Sequence, residues 1–249
     1  MISRLAAPFA AAALLAGPAA AFDLDDMTEA ERASFRAEVR AYLLENPEVI
    51  MEAVAVLEQR QAQQQAQDDV SLVQANAEAL FEDGHSWVGG NPDGDVTLVE
   101  FLDYRCGYCR RAFPEVAELV ESDGNIRLII KEFPILGEQS TMASRFAIAT
   151  KQIAGDDAYK ALHDTLMTFR GEISETALRR VSDTLGLDAE AILAHMDSDD
   201  VSRVITANRQ LAQRLNLSGT PSFVMEDRML RGYVPLEAMR DTVEEIRTQ

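Results

Sequence analysis

The sequence contains two cysteines, Cys106 and Cys109, separated by Gly107 and Tyr108. A disulfide between them would close almost no loop, so it would restrict the unfolded chain little and add little stability. At the start of a helix, unpaired N–H groups and the helix dipole lower the pKa of a thiol, because both favour its negative charge. The spacing therefore predicts a redox-active disulfide in which Cys106 attacks a substrate and Cys109 resolves the mixed disulfide.

Other chemistry is compatible with two neighbouring thiols. Zinc and iron–sulfur sites use the same spacing but need about two further soft ligands. No other cysteine exists, and His85, His163 and His195 are scattered along the chain. Two adjacent thiolates also suit Cu(I), so copper binding at Cys106 and Cys109 stays open as an alternative. We expect no cofactor beyond the disulfide itself. A further alternative is a purely structural domain, in which Cys106 would be unreactive.

The charge of the chain is uneven. Its formal net charge is −19, yet Arg105, Arg110 and Arg111 flank the cysteines. We expect these arginines to help stabilise a Cys106 thiolate. The overall negative charge makes nucleic acid and anionic lipid poor partners.

The first residues predict export. An apolar run over residues 5–16 is followed by small residues at Ala19 and Ala21, which is the pattern of a cleavable signal over residues 1–21 with cleavage before Phe22. The run is too short to span a bilayer. We expect a periplasmic mature chain, in a compartment where disulfides persist.

Residues 22–82 have helical composition, with no glycine and a single proline. Thr28 and Glu31 form a predicted capping box, and Asn46 with Pro47 predicts the start of a second helix. A thin helix with an apolar stripe must bury that stripe, so we predict an oligomerisation arm here. The glutamine-rich run 59–67 is expected to extend away from the globular body. The stripe comprises Phe35, Val39, Tyr42, Leu43, Ile50, Val54 and Leu57.

A glycine-rich break over residues 84–94 separates this arm from a second region. Strand patterns at 96–102 and 126–130 flank a helical pattern at 105–123, which predicts a βαβ unit. Residues 139–215 predict four or five helices. A β-hairpin over 222–233 and a last helix over 236–247 complete the chain.

Three separated motifs resemble the Dsb thioredoxin-fold proteins: Val99-Glu100-Phe101 with Tyr104, then Cys106-Gly107-Tyr108-Cys109, and far downstream Gly219-Thr220-Pro221. The resemblance runs from about residue 96 to the C-terminus and has the layout of the DsbA-like branch. It implies an α/β fold, in which a thioredoxin fold formed by residues 83–138 and 216–249 carries an inserted helical domain at 139–215. The helical arm and Lys131-Glu132-Phe133-Pro134 resemble the suppressor-of-copper-sensitivity protein C group, some members of which are trimeric disulfide isomerases.

The resemblance also implies roles for individual residues. Pro221 corresponds to a cis-proline, which would leave the backbone of Thr220 free to pair with a substrate peptide. Glu100 corresponds to a buried acid that relays protons as the thiols ionise, with its pKa raised by desolvation. Lys131 on the neighbouring strand is a candidate partner for Glu100. The alternative for both charged residues is a solvent-facing position at a strand end.

The dipeptide Gly107-Tyr108 bears on the direction of the reaction. It differs from the Pro-His pair of the dithiol oxidase DsbA and equals the pair of the isomerase DsbC. We therefore expect a homo-oligomer, a trimer by analogy with the suppressor-of-copper-sensitivity protein C group, that isomerises or reduces disulfides of exported proteins and receives electrons from a membrane reductase. The alternatives are a DsbA-like oxidase that is reoxidised by a membrane quinone-linked partner, and a Cu(I)-binding copper-tolerance protein.

Overall fold

The computed structural model describes residues 27–248, so the predicted signal over residues 1–21 lies outside the described part. The chain divides into two compact units, the first ending at Gln59 and the second beginning at Arg60. None of the helices within residues 27–248 combines the length and the apolarity needed to cross a membrane. The helices are α1 (Glu29–Glu45), α2 (Glu48–Ala75), α3 (Ala77–Phe81), α4 (Gly107–Asp123), α5 (Glu138–Ala154), α6 (Asp156–Thr168), α7 (Glu175–Leu185), α8 (Ala189–His195), α9 (Asp199–Arg214) and α10 (Leu236–Arg247). The strands are β1 (Trp87–Gly90), β2 (Val96–Leu102), β3 (Ile126–Glu132), β4 (Ser222–Met225) and β5 (Arg228–Arg231).

The first unit contains α1 and the beginning of α2. Thr28 caps α1 as predicted: its Oγ1 accepts from the Glu31 N–H at 3.3 Å, and the Glu31 carboxylate accepts from the Thr28 N–H at 2.8 Å. The Asn46 N–H closes the last turn on the Tyr42 carbonyl at 2.8 Å. No residue of α1 is buried within the described chain. Apolar side chains along both helices instead line a shallow groove that includes Phe35, Val39, Leu43, Leu44 and Ile50.

The second unit is built on one five-stranded sheet with the order β1-β3-β2-β4-β5. β2 and β3 are parallel and joined by α4, which confirms the predicted βαβ unit, and β4 pairs with β5 as the predicted hairpin. The glycine-rich segment before β2 also contains a strand that the sequence pattern did not predict, since Trp87–Gly90 forms an edge strand antiparallel to β3. Gly89 is needed in that strand, since a Cβ there would overlap the Trp87 ring.

Helices cover both faces of the sheet. The predicted insertion consists of the five helices α5 to α9, between β3 and β4. One core cluster buries Leu98, Phe146 and Phe223, and a second cluster contains Phe101 and Ile129. Because neighbouring residues of a strand point to opposite faces, each central strand contributes to both clusters.

The end of α2 packs on the second cluster, a contact that the predicted boundary at residue 82 did not anticipate. The glutamine-rich run is exposed, but Val73 and Leu80 are buried with the sheet residues of that cluster. Asp69 accepts two hydrogen bonds from the Arg231 guanidinium, at 2.7 and 2.8 Å. Asp69 and Val73 are one helical turn apart, so a single face of α2 carries both contacts.

Substituting Asp69→Asn tests this attachment. Loss of the two-pronged ion pair, which is mostly shielded from solvent, should lower the free energy of unfolding by about 1–3 kcal/mol. Urea denaturation measures that loss, and hydrogen exchange should show faster exchange in residues 69–75. Asp200→Asn is the matched control, because the pair of Asp200 with Arg203 is exposed and should contribute below about 0.5 kcal/mol. Unchanged exchange in residues 69–75 would show that the pair does not hold the helix.

Candidate active site

The loop between β2 and α4 is held by Asp103, a fully buried carboxylate. Asp103 accepts hydrogen bonds from the backbone N–H groups of Arg105 at 2.8 Å, Ile135 at 2.8 Å and Leu136 at 3.0 Å. Its carbonyl also accepts from the Cys106 N–H at 3.0 Å. These bonds place Cys106 at the N-cap of α4, as its sequence context predicted. The sequence did not identify Asp103, because two of its partners, Ile135 and Leu136, lie more than 30 residues away.

Both cysteines are free thiols, and they ionise very differently. A hydrogen bond from the Cys109 thiol, with help from Thr220 and from the backbone N–H groups of Tyr108 and Cys109, lowers the pKa of Cys106 to about 5 against the cost of burial. The same thiol hydrogen bond, together with burial and the charge of Glu100, raises the pKa of Cys109. The helix start therefore stabilises a Cys106 thiolate, as predicted. The nearby arginines are not among the main causes of the shift.

The Thr220–Pro221 segment faces the thiols. The peptide bond between these residues is cis, as the resemblance implied. The Cys106 thiol donates to the Thr220 carbonyl at 3.1 Å, across 114 residues of sequence. Of the dipeptide between the cysteines, Gly107 and Tyr108 are both exposed, and Tyr108 keeps 61% of its surface accessible. The structure thus joins two distant motifs into one surface around a single sulfur.

Glu100 lies in β2 and is only 3% exposed, which rules out the solvent-facing alternative. Its Oε1 has no hydrogen-bond partner within the described part of the chain. Burial, then the charges of Cys106 and Glu132, raises the pKa of Glu100 to about 8. The predicted upward shift is therefore confirmed. Glu100 also lines a cavity of about 450 Å³, together with Phe113 and His163.

The predicted partnership between Lys131 and Glu100 is wrong. Glu100 lies opposite Ile130 in the parallel pair, and Lys131 lies opposite Phe101, so the two charged side chains leave the sheet on opposite faces. The Lys131 ammonium instead donates to the Asp83 carboxylate and to a backbone carbonyl of α3 at 2.8 Å. Burial lowers the pKa of Lys131, while the Asp83 charge opposes that change. Lys131 therefore anchors the segment that precedes β1.

A second buried acid, Glu132, was noted only as part of a family motif. It accepts hydrogen bonds from Tyr104, Tyr159 and Ser144, each at 2.7 Å. Burial raises the pKa of Glu132 to about 7, although these hydrogen bonds lower it. His163 joins the network at 3.1 Å from the Tyr104 hydroxyl, and burial lowers its pKa to about 3. The sequence signal that could have identified Glu132 is a carboxylate at the end of an apolar strand.

Two family models match the chain. The DSBA-like thioredoxin domain matches residues 97–244, and the copper resistance protein ScsC N-terminal domain matches residues 31–64. The first match spans the thiols, the insertion and the cis-proline. The second covers most of α1 and the first half of α2.

Solved structures show the same fold. A thioredoxin-like oxidoreductase from Silicibacter pomeroyi DSS-3 is 44% identical, with a TM-score of 0.65 over 69% of this chain and 98% of that chain. Proteus mirabilis ScsC in a transitional conformation is 28% identical, with a TM-score of 0.63 over 89% of this chain and 97% of that chain. The ScsC likeness covers more of this chain than the first one does.

Among curated proteins, the Na(+)/H(+) antiporter NhaA 3 of Salinispora tropica is 29% identical over 156 residues. That match covers 63% of this chain but 24% of the antiporter, so the chain spans about a quarter of that relative's length. The transport activity in that name is therefore said of the antiporter and not of this chain.

Titration of the reduced protein tests the inequality of the thiols. Thiolate absorbance in the ultraviolet should show Cys106 ionising near pH 5. Cys109→Ala removes the strongest donor and should move that pKa upward, toward the ordinary value of 9.0. Cys109→Ser keeps a donor hydroxyl and should move it less. A wild-type midpoint near 9 would contradict this account of the site.

Proposed function

The chain belongs to the family of DSBA-like thioredoxin domains, and we propose that this thiol-disulfide oxidoreductase acts as an isomerase or reductase of disulfides in exported proteins. The observation that carries the proposal is the split between an acidic Cys106 and a weakly acidic Cys109 beside the Thr220 carbonyl. A thiolate that is present at neutral pH attacks a substrate disulfide. A neighbouring thiol that is still protonated can later attack the mixed disulfide and release the substrate.

The reaction follows from this inequality. The Cys106 thiolate attacks one sulfur of a substrate disulfide, so a Cys106–substrate bond forms and the other substrate sulfur leaves as a thiolate. In isomerisation, a substrate thiolate attacks that mixed disulfide and regenerates Cys106. In reduction, Cys109 loses its proton and attacks Cys106, which leaves the redox-active Cys106–Cys109 disulfide and a second substrate thiol. The protein then needs two electrons, which we assign to a membrane reductase.

Glu100 is our candidate acceptor for the Cys109 proton. Its charge raises the pKa of Cys109, so the two groups interact electrostatically. A carboxyl with a pKa of about 8 exchanges protons readily near neutral pH. Burial keeps other bases away from the resolving sulfur. Glu100 would then return the proton to solvent through the cavity that it lines.

Isomerisation is favoured by two features outside the thiols. The Gly107-Tyr108 pair lacks the histidine of strong oxidases, and residues 31–64 match the ScsC N-terminal domain. Uncovered apolar side chains on α1 and α2 support a homo-oligomer, a trimer by analogy, in which several thiol sites would share one substrate. The predicted signal supports action in the periplasm.

One observation favours the alternative of a dithiol oxidase. A Cys106 pKa of about 5 stabilises the reduced form, and a more stable reduced form makes the disulfide a stronger oxidant. A potential near about −120 mV would therefore identify an oxidase, and one at or below about −180 mV an isomerase or reductase. Cu(I) binding by the two thiols remains a further alternative, and it requires no turnover.

The isomerase proposal is tested with scrambled ribonuclease. The mature protein, kept reduced, should restore ribonuclease activity, and Cys106→Ala should abolish that effect. Removing residues 22–59 should give a monomer by sedimentation and reduce isomerisation several-fold, while reduction of a small disulfide stays unchanged. The deletion ends at residue 59 because Asp69 and Val73 pack in the second unit. Cu(I) binding without any reactivation, or an unchanged oligomer after the deletion, would overturn the proposal.

The role of Glu100 is tested by Glu100→Gln. The resolving step, followed by stopped flow from pH 6 to 9, should slow by about a hundredfold when its proton acceptor is lost. In the wild type the rate should rise with pH through about 8, as the carboxyl ionises. Glu132→Gln is the matched control, since it changes another buried acid and should retain an inflection, moved somewhat below 8 because the Glu132 charge contributes to the raised pKa of Glu100. An inflection near 8 that survives in Glu100→Gln would remove Glu100 from the proposal.

A further inference from the structure

Four arginines near the thiols lack a carboxylate partner. None of them forms an ion pair with any residue in the part of the chain that the structure describes. The full sequence has 42 Asp and Glu residues against 23 Lys and Arg residues, so carboxylates are abundant elsewhere. Arginines without a carboxylate partner are therefore unexpected in so acidic a protein. The four residues, which we call the arginine rim, are Arg105, Arg110, Arg111 and Arg170.

Neutral groups hold three of these side chains in place. Arg105 donates to the Gly171 carbonyl at 2.6 Å, which ties the start of α4 to the loop between α6 and α7. Arg110 donates to the Tyr104 carbonyl at 2.8 Å and keeps a second nitrogen, Nη2, without a partner. The Arg111 guanidinium stacks 4.4 Å from the centre of the Tyr233 ring. These contacts orient the guanidinium groups and leave their charge uncompensated.

The charges are close enough to repel one another. Burial and the charges of Arg105 and Arg170 lower the pKa of Arg110, although Asp103 acts in the opposite direction. Such repulsion raises the energy of the free protein, and an incoming anion would relieve it. The rim is therefore better satisfied with a negatively charged ligand than without one.

Three carboxylates that are close to the rim in sequence have other partners or form no ion pair with it. Asp103 is buried and spends its oxygens on three backbone N–H groups. Glu115 accepts from the Tyr233 hydroxyl at 2.6 Å and from a backbone N–H at 3.0 Å. Glu172 follows Arg170 by two residues and is exposed, but it forms no ion pair within residues 27–248.

Apolar groups accompany the rim. Tyr108 is exposed, and its ring lies 6.2 Å from that of Tyr233. Ile135 and Leu136 are also exposed, on the loop whose N–H groups bind Asp103. The Thr220 carbonyl next to Cys106 offers a backbone acceptor to an extended chain. Charge, aromatic surface and a backbone acceptor together match an unfolded peptide segment.

We propose that the arginine rim binds acidic residues next to the reactive cysteine of a substrate protein. The inference rests on the proposed thiol-disulfide activity and adds a substrate class to it. An Asp or Glu beside the substrate cysteine places a carboxylate near these guanidinium groups as the mixed disulfide forms. A Lys at the same place adds to the repulsion. The protein should therefore act first on cysteines in acidic, extended segments.

The test uses three synthetic peptides that differ in the residues flanking one cysteine: Asp, Ser or Lys. Each cysteine is activated as a mixed disulfide with 5-thio-2-nitrobenzoate. The Cys106 thiolate attacks the peptide sulfur, a Cys106–peptide disulfide forms, and the coloured aromatic thiolate leaves. With full-length mature protein at low salt, the Asp peptide should react about fivefold to tenfold faster than the Lys peptide, and the difference should shrink at high salt.

Variants assign that preference to the rim. Arg111→Glu with Arg170→Glu should reverse the ranking of the Asp and Lys peptides, and Arg111→Lys should preserve it. Arg228→Glu with Arg247→Glu is the control matched for net charge, because both arginines lie away from Cys106: Arg228 is at the hairpin turn, at the other end of β4 from Pro221, and Arg247 pairs with Asp123 at the opposite end of α4 from Cys106. This control should leave the ranking unchanged. The ratio is measured within each variant, so a general loss of activity does not affect it.

The outcomes separate the two proposals. If no peptide releases the aromatic thiolate, or if Cys106→Ala releases it equally fast, the proposed function fails. If all three peptides react in a Cys106-dependent way but at the same rate, the function stands and the rim inference is overturned. A preference that survives the double charge reversal, or that is independent of salt, also overturns it.

Discussion

The site depends on one interaction between its two sulfur atoms, in which the Cys109 thiol can donate a hydrogen bond to an ionised Cys106. It lowers the pKa of one thiol and raises that of the other, so two chemically identical groups take different parts in a reaction. The bond forms because a Cys-X-X-Cys pair spans the first turn of a helix, with Cys106 at the N-cap. The Asp103 carboxylate accepts from the Arg105 N–H just before that turn, and the Thr220 carbonyl, two residues before β4, accepts from the Cys106 thiol. Changes to either support would act through this bond.

The sheet separates the buried charges by face. Glu100 and Lys131 belong to adjacent strands, yet a one-residue offset in the register sends them to opposite sides. The acid can therefore stay without a counter-charge and keep a raised pKa, while the lysine neutralises Asp83. A direct ion pair would lower the pKa of Glu100, and the carboxyl would then not exchange protons near neutral pH. An unpaired acid near a thiol is costly to bury, and the fully hydrogen-bonded Glu132 nearby shows that this interior can satisfy such a group.

Local patterns in the sequence predicted the elements that local forces define. The predicted strand at 96–102 and helix at 236–247 coincide with β2 and α10, because their apolar periodicities are continuous. Long-range contacts were less accessible. β1 has two apolar residues among glycines and exists through pairing with β3, about 40 residues later. The Lys131 prediction failed because adjacency of strands does not specify register, and the arginines were given a role in thiolate stabilisation that hydrogen-bond donors fill.

The β4–β5 hairpin links the C-terminal part of α2 to the Thr220–Pro221 segment. Ser222, directly after Pro221, lies opposite Arg231 in the hairpin, and Arg231 holds Asp69 of α2. The last turns of α2 and the Thr220–Pro221 segment are thus positioned by the same pair of residues. The attachment at Asp69 therefore couples the C-terminal part of α2 to the hairpin that follows Pro221, and both belong to the second unit.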